Sequence, residues 1–310
     1  MIEEKVRLKS FTQLAVEGSN YQPPKKIWGN YILEKNLVLF PSERGVGKTF
    51  LMLQLALAVS NEDTEFCGEP IELPGNVLYL NFELGETMLK RRILKLKERF
   101  EEEKEKRFEA YSYTHRGNIT EAMEDIIVEI KRYKPVLVIL DNLRVAFSGL
   151  DNERNKDMTT AMTSLAKLKD EYGLALVIVH HTKKGSSGKI TDSDLQSGAG
   201  ALSDLVDADF FLRKSRLDGR HRILKRMKSR ETEESDTAKL IAMNPETLFF
   251  EVIEEDVNEG DHIYAPDIKD KKSTLLEKAK ELHKAGKSGT EIAKELDVNK
   301  STISRWLKID

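Results

Sequence analysis

Between Pro41 and Thr49 the chain reads Pro-Ser-Glu-Arg-Gly-Val-Gly-Lys-Thr, which sets a lysine and a hydroxyl behind two glycines. The stretch follows the apolar run Leu37–Phe40 and leads into Phe50–Val59, which has helical character. A turn of this composition between a strand and a helix suits phosphate. Its backbone N–H groups and the helix N-terminus face the anion, the lysine adds a point charge, and the hydroxyl ligates Mg²⁺. Ser42, Glu43, Arg44, Gly45, Val46, Gly47, Lys48, Thr49 and Phe50 are therefore expected to hold the phosphates of ATP, with Lys48 on the β- and γ-phosphates and Thr49 on Mg²⁺. The pattern G-x-x-x-x-G-K-[ST] is met at Gly47, Lys48 and Thr49. Ser42 stands where its first glycine usually sits, and a small residue there can still turn the chain out of the strand.

Such a loop needs a carboxylate at the end of a neighbouring strand to hold Mg²⁺ through water. Asp141, directly after the apolar run Val136–Leu140, is the expected partner. Hydrolysis also needs a base to orient the attacking water. Glu83 is the candidate, because it ends the run Val77–Phe82 and open α/β sheets place their sites at the carboxyl ends of strands. His180 and His181 end a further run, Leu174–Val179. No third ligand lies at a zinc-like spacing from the pair.

These residues need a scaffold, and the periodicity supplies one. Apolar runs alternate with helical segments at Glu86–Arg107, Ile119–Tyr133 and Lys156–Tyr172, as in a doubly wound α/β domain with a mostly parallel sheet. After about residue 208 the period shortens. Phe210–Leu212, Arg222–Leu224, Lys239–Ile241 and Leu248–Phe250 are expected as strands joined by turns, an antiparallel C-terminal extension. The acidic stretch 254–271 reads as a linker. The expected organisation is thus an N-terminal segment 1–35, an ATPase domain 36–253, the linker, and a small all-α domain 272–310.

Composition sets bounds on this plan. The 310 residues carry 50 basic and 53 acidic side chains, so whole-chain charge names no partner, but from Lys271 onward ten basic residues face six acidic ones. That basic tail hints at nucleic acid. The one cysteine, Cys67, excludes an internal disulfide and suits a reducing cytoplasm. No apolar run approaches the roughly 20 residues that span a bilayer, so no membrane partner is expected.

In sequence order, the loop, Asn81-Phe82-Glu83-Leu84, Leu140-Asp141-Asn142-Leu143 and Val179-His180-His181-Thr182-Lys183-Lys184 resemble the RecA-like ATPases, and within them the RepA and DnaB type of ring-shaped replicative helicase. The resemblance covers roughly residues 27–253. It implies Glu83 as the base and either His180 or His181 as the sensor of the γ-phosphate. It implies that Lys228 and Arg230, in Lys225-Arg226-Met227-Lys228-Ser229-Arg230, reach a neighbouring subunit's ATP, with Arg230 as the arginine finger. Lys183, Lys184 and Lys189, and Gln196 in the Gly-rich segment 196–207, would grip single-stranded DNA in the channel of a ring, expected to be a hexamer.

The tail resembles a helix-turn-helix of the resolvase type. Thr290 is expected to cap its second helix, and Ser301 to open a recognition helix. Lys300, Ser301, Thr302, Ser304 and Arg305 would face duplex DNA. Together these resemblances imply an ATP-driven helicase or translocase of plasmid, phage or mobile-element replication. The alternative is a RecA-like regulatory DNA-binding ATPase whose nucleotide state controls assembly without unwinding.

Overall fold

The computed structural model describes residues 9–19, 21–96, 107–148, 155–181, 202, 205–232 and 237–263, and in the C-terminal region 275–276, 278–296, 298, 303 and 306–307. Its centre is a nine-stranded sheet. The strands are β3 (Leu37–Ser42), β6 (Val77–Asn81), β7 (Ala110–Thr114), β8 (Leu137–Asp141), β9 (Ala175–His181), β10 (Ala208–Lys214), β11 (His221–Ser229), β12 (Ala238–Met243) and β13 (Phe250–Val257). They lie in the order β13-β12-β11-β10-β3-β9-β8-β6-β7. From β7 to β10 every pairing is parallel, and from β10 to β13 every pairing is antiparallel. The short hairpins β1 (Lys26–Trp28) with β2 (Ile32–Leu33), and β4 (Glu65–Phe66) with β5 (Glu69–Pro70), pack outside it.

Both faces of the central strands β3, β6, β8 and β9 are covered, which is why these strands are nearly unbroken apolar runs. Successive side chains alternate between faces. Val38, Phe40, Val77, Tyr79, Ile139, Val177 and Val179 share a core with α2 (Lys48–Ser60). Leu37, Leu39, Leu78, Leu80, Val138, Leu140, Leu176 and Ile178 pack on the other face with α4 (Ile119–Tyr133), α5 (Leu143–Ala146) and α6 (Asn155–Tyr172). α2 is apolar nearly all round and buried nearly all round, as such a helix must be. α4 is amphipathic. Asn118 caps it, Ile119, Ala122, Ile126 and Ile130 form its buried stripe, and Lys134 ends it in a left-handed turn. Trp28 lies in the core, stacked on Tyr31 at 4.6 Å and donating Nε1–H to the Phe66 carbonyl at 2.8 Å.

Several expectations need correction. α3 spans Glu86–Leu94 and stops before Lys95, Leu89 is its one buried residue, and residues 97–106 of the expected helix lie outside the described residues. Met88 on the same helix is exposed. β13 begins at Phe250 rather than Leu248 and runs through Glu254 to Val257, so the linker does not begin at residue 254. The acidic residues there decorate an edge strand, a common defence of an exposed edge, and Glu255 pairs with Lys239 at 3.2 Å. Beyond Asn258, the five residues of α7 (Glu259–Ile263) are pinned to the sheet. Glu259 pairs with Arg213 at 2.8 Å and Lys225 at 3.1 Å, and Arg216 N–H donates to the His262 carbonyl. In the tail the helix Gly289–Glu295 is capped by Ser288 in a capping box with Glu291, not by Thr290. Ala279, Ile292, Ile303 and Trp306 form a small separate apolar cluster. Among the described residues no helix is long and apolar enough to cross a membrane.

Candidate nucleotide site

β3 ends at Ser42, and the next turn carries the chain into α2. Gly45 and Gly47 take φ of 74° and 107°, values that glycine alone adopts without strain. At Gly47 a Cβ would also lie 2.9 Å from the Phe250 ring. Ser42 is not at a positive φ, so the position asks for no glycine. Its hydroxyl accepts the Leu212 N–H at 3.0 Å and ties β3 to β10, a task glycine could not perform. The turn opens onto a cleft of about 220 Å³, lined by Gly45, Gly47, Lys48, Thr49, Phe50, Glu83, Arg92, His181 and Met243.

Lys48 is 5% exposed and donates to the Ser42 and Glu43 carbonyls at 2.8 and 2.5 Å. Burial pulls its pKa down to about 8, against the pull of Asp141 and Glu83. Thr49 Oγ1 donates to Asp141 Oδ2 at 2.9 Å, and the Tyr79 hydroxyl donates to the same oxygen at 2.5 Å. Asp141 is fully buried. Burial pushes its pKa up, the two hydroxyls oppose that, and its Oδ1 has no hydrogen-bond partner. Beside the Thr49 hydroxyl, this orphaned carboxylate oxygen fits Mg²⁺. No cluster of three or more His, Cys, Asp or Glu that could hold a metal exists among the described residues. A hard cation kept largely in water and on phosphate oxygens needs no such cluster.

Glu83 projects from the loop after β6. Its Oε2 accepts Asn142 Nδ2 at 2.5 Å and lies 3.1 Å from His181 Nε2. The His181 hydrogen bond, helped by Asn142 and Lys48, holds the Glu83 carboxyl down at about 2 against the effect of burial. The two histidines are separated by strand alternation. His181 continues the Val177, Val179 face and lines the cleft, whereas His180 continues the Ile178 face, where burial lowers its pKa to about 4. Arg44 is exposed at the loop's rim.

Other expected residues lie elsewhere. Arg230 and Lys228 sit at the far end of β11, across from the start of β10 (Asp209 is the partner of Lys228). Arg230 pairs with Asp207 at 3.4 Å, and Asp207 in turn accepts the Leu37 N–H at the beginning of β3. They are therefore at the opposite end of the sheet from their own Lys48. Lys183, Lys184, Lys189, Gln196, Lys300, Ser301, Thr302, Ser304 and Arg305 lie outside the described residues. The structure in turn brings in residues that sequence reasoning gave no role. Tyr79 supports Asp141, and Asn142 caps α5 through Val145 N–H and turns its amide to Glu83. Arg92 lies over the Phe50 ring at 5.2 Å, and Arg222 reaches the Val46 carbonyl.

A glycine-bearing turn at a helix N-terminus, with lysine, threonine and a strand-end aspartate converging on it in an α/β sheet, defines a P-loop ATPase. The chain belongs to the AAA domain family, whose match covers residues 3–187. No curated protein matches it. The family match ends before β10, so the antiparallel extension lies outside it.

Proposed function

We propose that this ATPase is a ring-forming, ATP-driven DNA helicase or translocase of the RepA type, serving plasmid, phage or mobile-element replication. The observation that carries the reading is the placement of Arg230. Lys48, Thr49, Asp141, Glu83 and His181 gather at one end of the sheet, while the basic end of β11 lies at the other. A guanidinium placed there is remote from its own Lys48, so as an arginine finger it would serve a neighbouring subunit and make turnover depend on assembly.

On this reading Lys48 and the loop N–H groups bind the phosphates, and Glu83 orients the attacking water and accepts its proton. Thr49 and Asp141 would hold Mg²⁺, which would supply neutralisation of phosphate charge when bound. His181, hydrogen-bonded to Glu83, reports the γ-phosphate, and its position on the cleft face favours it over His180 for that task. Lys183, Lys184, Lys189 and Gln196 follow β9 directly and would meet single-stranded DNA in the channel. The tail from residue 272, with its capped helix and small apolar cluster, would form the helix-turn-helix that binds duplex DNA.

The test is strand separation on a forked duplex with MgATP. Unwinding with one polarity, together with ring particles in electron micrographs taken with a non-hydrolysable ATP analogue, is the expected result. DNA-stimulated turnover without strand separation in either polarity would favour the regulatory ATPase instead. A strictly monomeric particle would remove Arg230 from the site.

A further inference from the structure

Arg222, the second residue of β11, is 3% exposed. Its guanidinium has no carboxylate within ion-pairing distance among the described residues. It donates instead to three carbonyls: Nε to Val46 at 2.7 Å, and Nη1 to Gly219 and His221, each at 2.8 Å. Two of these acceptors belong to its own turn. The first belongs to the phosphate loop.

The peptide between Val46 and Gly47 is planar and trans, so its carbonyl and its N–H point in opposite directions. Gly45 and Gly47, both at positive φ, flank Val46 and leave this peptide free to rotate. A donor fixed behind the loop settles the rotation. With the Val46 oxygen drawn back onto Arg222, the Gly47 N–H is turned toward the cleft, where a phosphate would meet the start of α2. Arg222 itself is held in place, because its backbone pairs with Ile241 on β12 and its Nη1 donates to the Gly219 and His221 carbonyls.

We propose that Arg222 is a positioning residue of the ATPase site, which holds the Val46–Gly47 peptide in its phosphate-binding orientation. The role needs only that the loop binds phosphate, and holds whether or not DNA is the track. It gives the antiparallel extension, which the family match does not reach, a direct part in nucleotide binding.

The experiment compares Arg222→Gln and Arg222→Lys with the wild-type full chain. The readouts are steady-state ATP hydrolysis, MgADP titration, and amide hydrogen exchange of the peptide spanning residues 43–48. A contact made equally to bound nucleotide and to the transition state changes KM and leaves kcat. Arg222→Gln is expected to raise KM and the MgADP Kd about tenfold, the size of one charged hydrogen bond. Exchange should rise in the phosphate loop and stay unchanged in β6 and β8. Arg222→Lys, which keeps the charge and loses the fork, should fall between the two, with KM up about threefold. Wild-type KM and loop exchange in both variants would overturn the proposal. So would exchange that rises across the whole sheet with kcat falling, the mark of a residue that merely supports the fold. If Arg222→Gln does not fold, Arg222→Lys decides: a raised KM at unchanged melting temperature supports the assignment, and an unchanged KM overturns it.

Discussion

The parallel and antiparallel parts of the sheet treat their polar residues in opposite ways. In β3, β6, β8 and β9 almost every side chain is apolar and buried, and apart from the Tyr79 hydroxyl polarity is confined to the strand ends: Ser42, Asn81, Asp141, His180 and His181. In β10 to β13 charge is spread along the strands, as in Arg213, Arg222, Lys225, Lys239 and the acidic edge of β13. A sheet buried on both faces can tolerate charge only where its strands end, so its chemistry collects at one rim. An extension with solvated surface can anchor itself through ion pairs anywhere along its length. Polar groups in the first part therefore report on the reaction, and those in the second report mainly on how the extension is fastened, with Arg222 as the bridge between them.

The largest expected effect comes from the rim. Lys48→Ala should lower kcat/KM for ATP by about 10³-fold, the loss expected when a positioned charge is removed from a phosphoryl-transfer site, while the melting temperature of the nucleotide-free chain changes little. Next comes Glu83→Gln, expected to lower turnover about 10²-fold with MgATP binding retained in a titration. It should also change acid sensitivity. The folded-state pKa of Glu83, about 2, is below the ordinary value near 4.3, so its stabilising contribution is complete above that value and is lost as pH falls toward 2. The variant's melting temperature should therefore fall less steeply than the wild type's between about pH 5 and 3.

Glu259→Ala sharpens the contrast from the other side. It removes the carboxylate that Arg213 and Lys225, both largely buried, share, and should cost about 2 kcal/mol in a denaturant titration while leaving the turnover of assembled protein within about twofold. A large loss of turnover in that variant would break the division drawn here. The smallest effect is expected at Tyr79→Phe. It removes one hydrogen bond to Asp141 and should cost about 1 kcal/mol, seen in the same titration.

The same contrast explains what the sequence revealed. The loop, Glu83 and Asp141 were legible because each ends an apolar run, so strand and rim are adjacent in the chain. His181 could be separated from His180 only once β9 was known to place its odd-numbered residues beside α2. Tyr79 was readable in principle, since β6 and β8 run in register with Asn81 opposite Asp141 and alternation puts Tyr79 on the same face. Arg222 was not, because it is 176 residues from the carbonyl it holds and nothing local marks it. Glu254–Val257 read as a linker because an exposed acidic edge strand and a solvated tether have the same composition.

The distance between Arg230 and its own Lys48 also bears on symmetry. If Arg230 of one copy completes the cleft of the next, two unlike surfaces meet, and no two-fold axis can relate them. Such a contact is head-to-tail: it closes into a cyclic ring when the rotation between copies divides a full turn, and otherwise grows as an open helix. A stable symmetric dimer of the chain would then leave both of its clefts without the guanidinium.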